Sequence, residues 1–316
     1  MKRRLGFVLF GAVLLALVGE LGARWILGLG DPPLTVRDPE IEYLFAPNQD
    51  VRRFGNRVVY NNVSMRSADR WSMAKERPEE LRVLVLGDSV INGGALTDHA
   101  RLATTIAQET LDRPDRPVRV GNVSAGSWGP ENLLAYVERF GLFDADLAVV
   151  VLSTHDLRDV RTFPGDLGSD FPLARPVSAL GEGLARYLAP RLGLGLRPPP
   201  AAAPPPDAVD RSVAALRKLF GLAEANGVEL VVLHHPERDE PDQEPVEDAA
   251  ILRGAIERMD RIVIPMSVWL GSVAERQRYY RDDIHINEAG QRVYSEVLIC
   301  LIEYLGSPRS CTKPRR

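Results

Sequence analysis

From Leu81 onward the chain keeps one rhythm: a short apolar run, a turn, an amphipathic stretch, then another apolar run. The runs LRVLVLG (81–87), VRVGNVS (118–124), DLAVVVLS (146–153), VELVVLHH (228–235) and RIVIPM (261–266) are rich in Val, Leu and Ile and bounded by polar residues. Such runs fit strands covered on both faces, because a strand with one wet face would alternate apolar and polar. Between them, helical spacing marks HARLATTIAQETLDR (99–113), PENLLAYVERFG (130–141), DRSVAALRKLFGLAEANG (210–227), EDAAILRGAIERMD (247–260) and NEAGQRVYSEVLICLIEYLG (287–306). Strands alternating with helices predict an α/β fold, a three-layer α/β/α domain over residues 79–306 with a five-stranded, mainly parallel, flavodoxin-like sheet. In sheets of this kind ligands gather at the carboxyl ends of the strands.

The strand ends carry the chemistry. LRVLVLG breaks into Asp88 and Ser89, and a glycine at that point lets the chain turn sharply and present Ser89 at the start of a helix. Its backbone N–H then points where an anion can sit. Asp and Ser are also ordinary helix caps, so the triplet needs a partner. The stretch YYRDDIHINEAGQRVY supplies one, with Asp282 three residues before His285 and just ahead of the last helix. A serine hydroxyl is a poor nucleophile at neutral pH; it needs a base within reach, and the base needs an orienting carboxylate. His234 and His235 end the fourth strand, where polar pairs are usually solvated, and Trp128 has core packing as its default role. No His, Cys or carboxylate spacing resembles a metal-ligand set, so neither a metal nor a cofactor is expected.

The flanks set the context. Lys2, Arg3 and Arg4 precede an uninterrupted apolar run from Leu5 to Val18, followed by Glu20, Arg24 and Trp25. A basic start before an apolar run is the grammar of a secretory signal or a signal anchor. A bilayer core takes roughly 20 apolar residues, and the run reaches that length if Glu20 and Arg24 pair on one face and Trp25 sits at the interface. Leu21-Gly22-Ala23 is a poor cleavage site, so residues 1–30 are read as an uncleaved transmembrane anchor, holding the membrane through residues 5–30 with the rest outside the cytoplasm. Residues 31–78, with turn signals at FGN and YNN, form a hairpin-bearing lead-in. An insertion at 163–209 includes a short helix near VSALGEGLARYLA and the proline run RPPPAAAPPP, a stiff spacer. It is either a lid or a surface excursion. The basic tail, 307–316, contains Cys311, which either closes a small disulfide with Cys300 or stays free. A net charge of -4 gives no basic field, which excludes nucleic acid as a partner.

Taken in order, the motifs resemble the SGNH (GDSL-type) hydrolases, membrane-anchored bacterial members in particular. Gly87-Asp88-Ser89 follows the first strand, the loop NVSAGSWG (Asn122 to Gly129) the second, and STHD (Ser153 to Asp156) the third, with Asp282 to His285 before the last helix. The resemblance spans about residues 81–305. It implies Ser89 as nucleophile, His285 as base and Asp282 as orienting acid, and an oxyanion hole built from the Ser89 N–H, a second-loop N–H and the third-motif side chain. Two positions depart from the family pattern. The oxyanion glycine falls at Ser127 by register, beside Gly126, and His155 stands where asparagine is expected. A neutral imidazole can donate one hydrogen bond and replace the amide; otherwise the hole lacks a donor. The implied activity is an ester hydrolase or O-acyltransferase acting on an ester or acylated glycan, with a catalytically impaired glycan-binding or polysaccharide-assembly protein as the alternative.

Overall fold

The computed structural model describes residues 2–164, 167, 170–194, 203–241, 246–305 and 311. Much of the proline run and most of the basic tail lie outside them. Helix α1 (Lys2–Trp25) opens the chain and is long and apolar enough to cross a bilayer. Two antiparallel hairpins follow, β1 (Thr35–Asp38) with β2 (Glu42–Phe45), and β3 (Gln49–Arg53) with β4 (Asn56–Tyr60). FGN makes the second hairpin's turn. YNN instead closes β4, where the Asn61 side-chain oxygen accepts from the N–H groups of Val63 and Met65 at 3.0 Å. The first hairpin turns on Asp38, whose carboxylate accepts from Glu40 and Ile41, both at 2.9 Å.

The main sheet then builds from β5 (Leu81–Gly87), β6 (Val118–Ser124), β7 (Leu147–Ser153), β8 (Glu229–His235) and β9 (Val263–Pro265). Every pairing is parallel, in the order β6-β5-β7-β8-β9. Helices α2 (Ser89–Asn92), α3 (Ala103–Leu111), α4 (Pro130–Phe140), α5 (residues 179–191), α6 (Ala208–Ala225), α7 (Glu247–Glu257) and α8 (Glu288–Glu303) fill the connections. Because successive strand residues face opposite ways, β5 splits its side chains between two cores. Leu84 and Leu86 pack with α4, α6 and the aromatic residues Tyr43, Phe45 and Tyr60 of the hairpins. Val83 and Val85 pack with α3 and α8. Both faces are dry, which is why the strands read as unbroken apolar runs.

The chain leaves β5 toward β6 on one side and, after β6, returns to β7 on the other. That reversal opens a crevice at the carboxyl end of β5. Gly87 stands at its floor: a Cβ there would lie 3.1 Å from the Val151 carbonyl and 3.0 Å from Ile91, too close for β5, β7 and α2 to keep their spacing. At the far end of the chain Cys300 of α8 is disulfide-bonded to Cys311.

Candidate active site

Ser89 is the first residue of α2, and Asp88 caps it, its carboxylate accepting from the Val90 N–H at 2.9 Å. So short a helix has little stability of its own. Buried amides hold it instead: Asn92 donates to the Ser124 carbonyl (2.8 Å), Asn122 to the Ile91 carbonyl (2.9 Å), and Gln291 of α8 to the Val90 carbonyl (3.0 Å). No motif announced Asn92 or Gln291; each is an isolated polar residue inside an apolar pattern.

The loop before α8 brings the partner. Asn287 caps α8, accepting from Ala289 at 2.8 Å. The Asp282 carboxylate accepts from the N–H groups of Ile284 (3.0 Å) and His285 (2.7 Å) and lies 2.9 Å from His285 Nδ1. Partial burial pushes the Asp282 carboxyl up, but those backbone N–H groups and the imidazole outweigh it and hold the group below the usual carboxylate range. With Nδ1–H directed at Asp282, Nε2 is left to accept from the Ser89 hydroxyl, 2.9 Å away. Serine, imidazole and carboxylate thus form one hydrogen-bonded line, a geometry able to move a proton from hydroxyl to ring. Behind the loop, His235 Nε2 donates to the Ile284 carbonyl at 2.8 Å while its Nδ1 lies 2.6 Å from the Tyr294 hydroxyl. Burial brings His235 down to about 4, so it serves as a neutral brace. His234 points elsewhere, to Thr154 at 3.1 Å.

Ser89 and His285 open into a cavity of about 190 Å³ whose walls include Gly126, Phe171, Tyr187 and Arg281. Phe171 and Tyr187 come from the 163–209 insertion, so that segment forms part of the cavity wall. Phe171 presses on Gly126, where a Cβ would meet its ring at 3.0 Å. The Gly126 carbonyl accepts from the Tyr43 hydroxyl of the lead-in. The left-handed backbone that favours glycine occurs at Ser127, with φ of 53°, and not at Gly126. Trp128 is buried against Tyr43 and Tyr136, a core residue.

His155 does not line this cavity. It faces the neighbouring groove with Thr154, Arg158 and Glu237. Its Nε2 lies 3.4 Å from Asp88 and 3.4 Å from Asp156, and its Nδ1 lies 3.7 Å from Glu237. Burial alone would strip the proton from this ring, but Asp88, Glu237 and Asp156 together push it up to about 11. The fully buried Asp156 is driven up by desolvation and by Asp88, whereas Asp88 is held down by the imidazolium against its own burial. Asp88, His155 and Asp156 are the group among the described residues spaced to hold a metal ion. The imidazolium itself supplies the positive charge between the two carboxyl groups.

A scan against protein-family models finds no match, and none of the curated proteins matches in sequence. Among solved structures, the chain is similar to an acetyl xylan esterase (12% identity, TM-score 0.43, 72% of this chain and 100% of that one). It is similar as well to an acetylxylan esterase from Geobacillus stearothermophilus (14%, 0.43, 70% and 94%). A third is a member of the lipolytic G-D-S-L family from Veillonella parvula (14%, 0.39, 68% and 94%). At these scores the chemistry has to be read from the site itself.

Proposed function

We propose that this chain is an SGNH-type serine enzyme handling esters outside the cytoplasm, with residues 1–30 as its anchor, 31–78 as a lead-in and 79–306 as the catalytic domain. The line from Ser89 through His285 to Asp282, at the mouth of a cavity, carries the reading. In it Ser89 attacks the acyl carbonyl and His285 accepts the hydroxyl proton. Asp282 fixes the tautomer and stabilises the imidazolium that forms. The imidazolium returns that proton to the alcohol oxygen as the ester C–O bond breaks, and the acyl group left on Ser89 then passes to water or to an acceptor hydroxyl deprotonated by His285. A short acyl group on a cell-surface glycan is the substrate class we favour. The N–H groups of Ser89 and of Ser127 or Gly126 are the proposed oxyanion donors.

One observation favours a second reading, a glycan-binding or assembly protein with an impaired site. The Nε2 of His155, at the position of the third donor, faces Asp88 and Asp156. A missing donor costs about 10²- to 10³-fold in rate, which slows an enzyme without silencing it. Fluorophosphonate labelling of the full chain in detergent separates the two. Labelling lost in Ser89→Ala but kept in His155→Asn supports the enzyme. An unlabelled parent that gains labelling in His155→Asn supports the binder.

A further inference from the structure

The insertion that walls the cavity is fastened to α1. Glu20, near the end of that helix, accepts from the Ser178 hydroxyl (2.8 Å) and from the N–H groups of Ala179 (3.0 Å) and Leu180 (2.8 Å), capping α5 with a side chain from another element. Leu180 rests on Gly19, where a Cβ would lie 3.2 Å from it. Ala23, Leu29 and Ala179 close a small core at the junction, and Glu182 pairs with the buried Arg53 at 2.5 Å. These contacts hold α5 beside the last turns of α1.

Its two faces differ. Tyr187, hydrogen-bonded to Arg53 at 3.1 Å, and Arg186 look into the cavity that holds Ser89. The outer face carries Leu184 and Leu188, and Leu192 follows at the helix end, the three spaced four residues apart and 48%, 45% and 60% exposed. Trp25, Ile26 and Leu27, where α1 ends, are exposed too. A stripe of leucines in water beside tryptophan would be costly for a soluble surface. It stands next to a 23-residue span whose most apolar 18-residue window has mean hydropathy 2.2 and is not buried in the chain, so the two together make one continuous apolar surface. Arg191, exposed on the same helix, suits the headgroup level.

Resting on the reading of α1 as a membrane anchor, we infer that the outer face of α5 is seated in the bilayer interface. The cavity of Ser89 then opens at the membrane surface, with α5 as the wall between lipid and site. The partner is the bilayer itself, and substrates carried at the membrane surface reach Ser89 without crossing bulk solvent. Pro32 and Pro33, seven and eight residues past the end of α1, also line the cavity and tie it to the segment that leaves that helix.

The test places an environment-sensitive dye on single cysteines of the full chain in vesicles of phosphatidylcholine and phosphatidylglycerol, since Cys300 and Cys311 are bonded and do not label. Leu14→Cys reports α1, Leu188→Cys reports α5, and Ile262→Cys, exposed at the opposite end of the sheet, is the reference. Doxyl-labelled lipid should quench the dyes at 14 and 188 several-fold more than the dye at 262, which only aqueous iodide should reach. Quenching at 14 with the dye at 188 behaving like that at 262 overturns the seat and leaves the anchor standing. No lipid quenching at 14 removes the anchor, and the inference with it.

Discussion

His155 carries a proton that an ordinary histidine loses near neutral pH, and the cause is the acidic ring of Asp88, Asp156 and Glu237 around it. A folded-state pKa of about 11, above an unfolded value of about 6.5, makes a contribution to stability that is full below pH 6.5 and lost as pH rises through about 11. The stability difference between the parent and His155→Asn, followed by thermal melting, should therefore shrink steadily across that window. A difference that stays constant from pH 6.5 to 11 would remove the imidazolium. Ser127 makes a second test at this scale, since a serine with φ of 53° is held in backbone space suited to glycine. Ser127→Gly should raise stability by about 1 kcal/mol, read as a higher denaturant midpoint at an unchanged slope. That the side chains of Ser89, His285 and Asp282 meet was legible in the sequence because each lies in a short local motif at a strand end or helix start. The direction in which His155 faces was not legible. It depends on Asp88, 67 positions away, and on Glu237 beyond the next strand.

At the scale of elements, His235 ties β8 to α8 and to the loop that precedes α8, its ring joining the Tyr294 hydroxyl to the Ile284 carbonyl next to His285. Replacing it by phenylalanine leaves both buried partners without a hydrogen bond, a loss of about 1–3 kcal/mol. If His235 positions the loop, His235→Phe should lower kcat with KM little changed, and His235→Gln, which keeps a donor, should recover part of it. Destabilisation with kcat intact would reduce His235 to a structural brace. The five strands appeared within two residues of the expected ends because buried valine and leucine runs are a local signal. The first hairpin carries no such local signal, for the opposite reason. Its strands TVRD and EYLF are short and partly charged, and they are held by Tyr43 and Phe45 packing on a sheet that forms later in the chain.

For the whole molecule, the strand order and the meeting of the insertion with α1 are long-range outcomes that no local pattern encodes. The attachment of α5 is also asymmetric. Arg53 and Glu182 lie within residues 31–305 and persist without α1, whereas the three hydrogen bonds to Glu20 and the contacts of Ala23 do not. Removing residues 1–30 should therefore leave the sheet and its two cores intact while releasing the first turn of α5, whose N–H groups lose their acceptor. Local opening then becomes easier than global unfolding. In one detergent, trypsin should cut after Arg186 and Arg191 faster in the shortened chain than in the full chain, while the main thermal transition stays in place. Mass spectrometry of the fragments reads the sites directly. Equal cleavage rates in the two chains would mean that α5 is held by Arg53 and Glu182 alone, and a lowered main transition would mean that α1 contributes to the core as well.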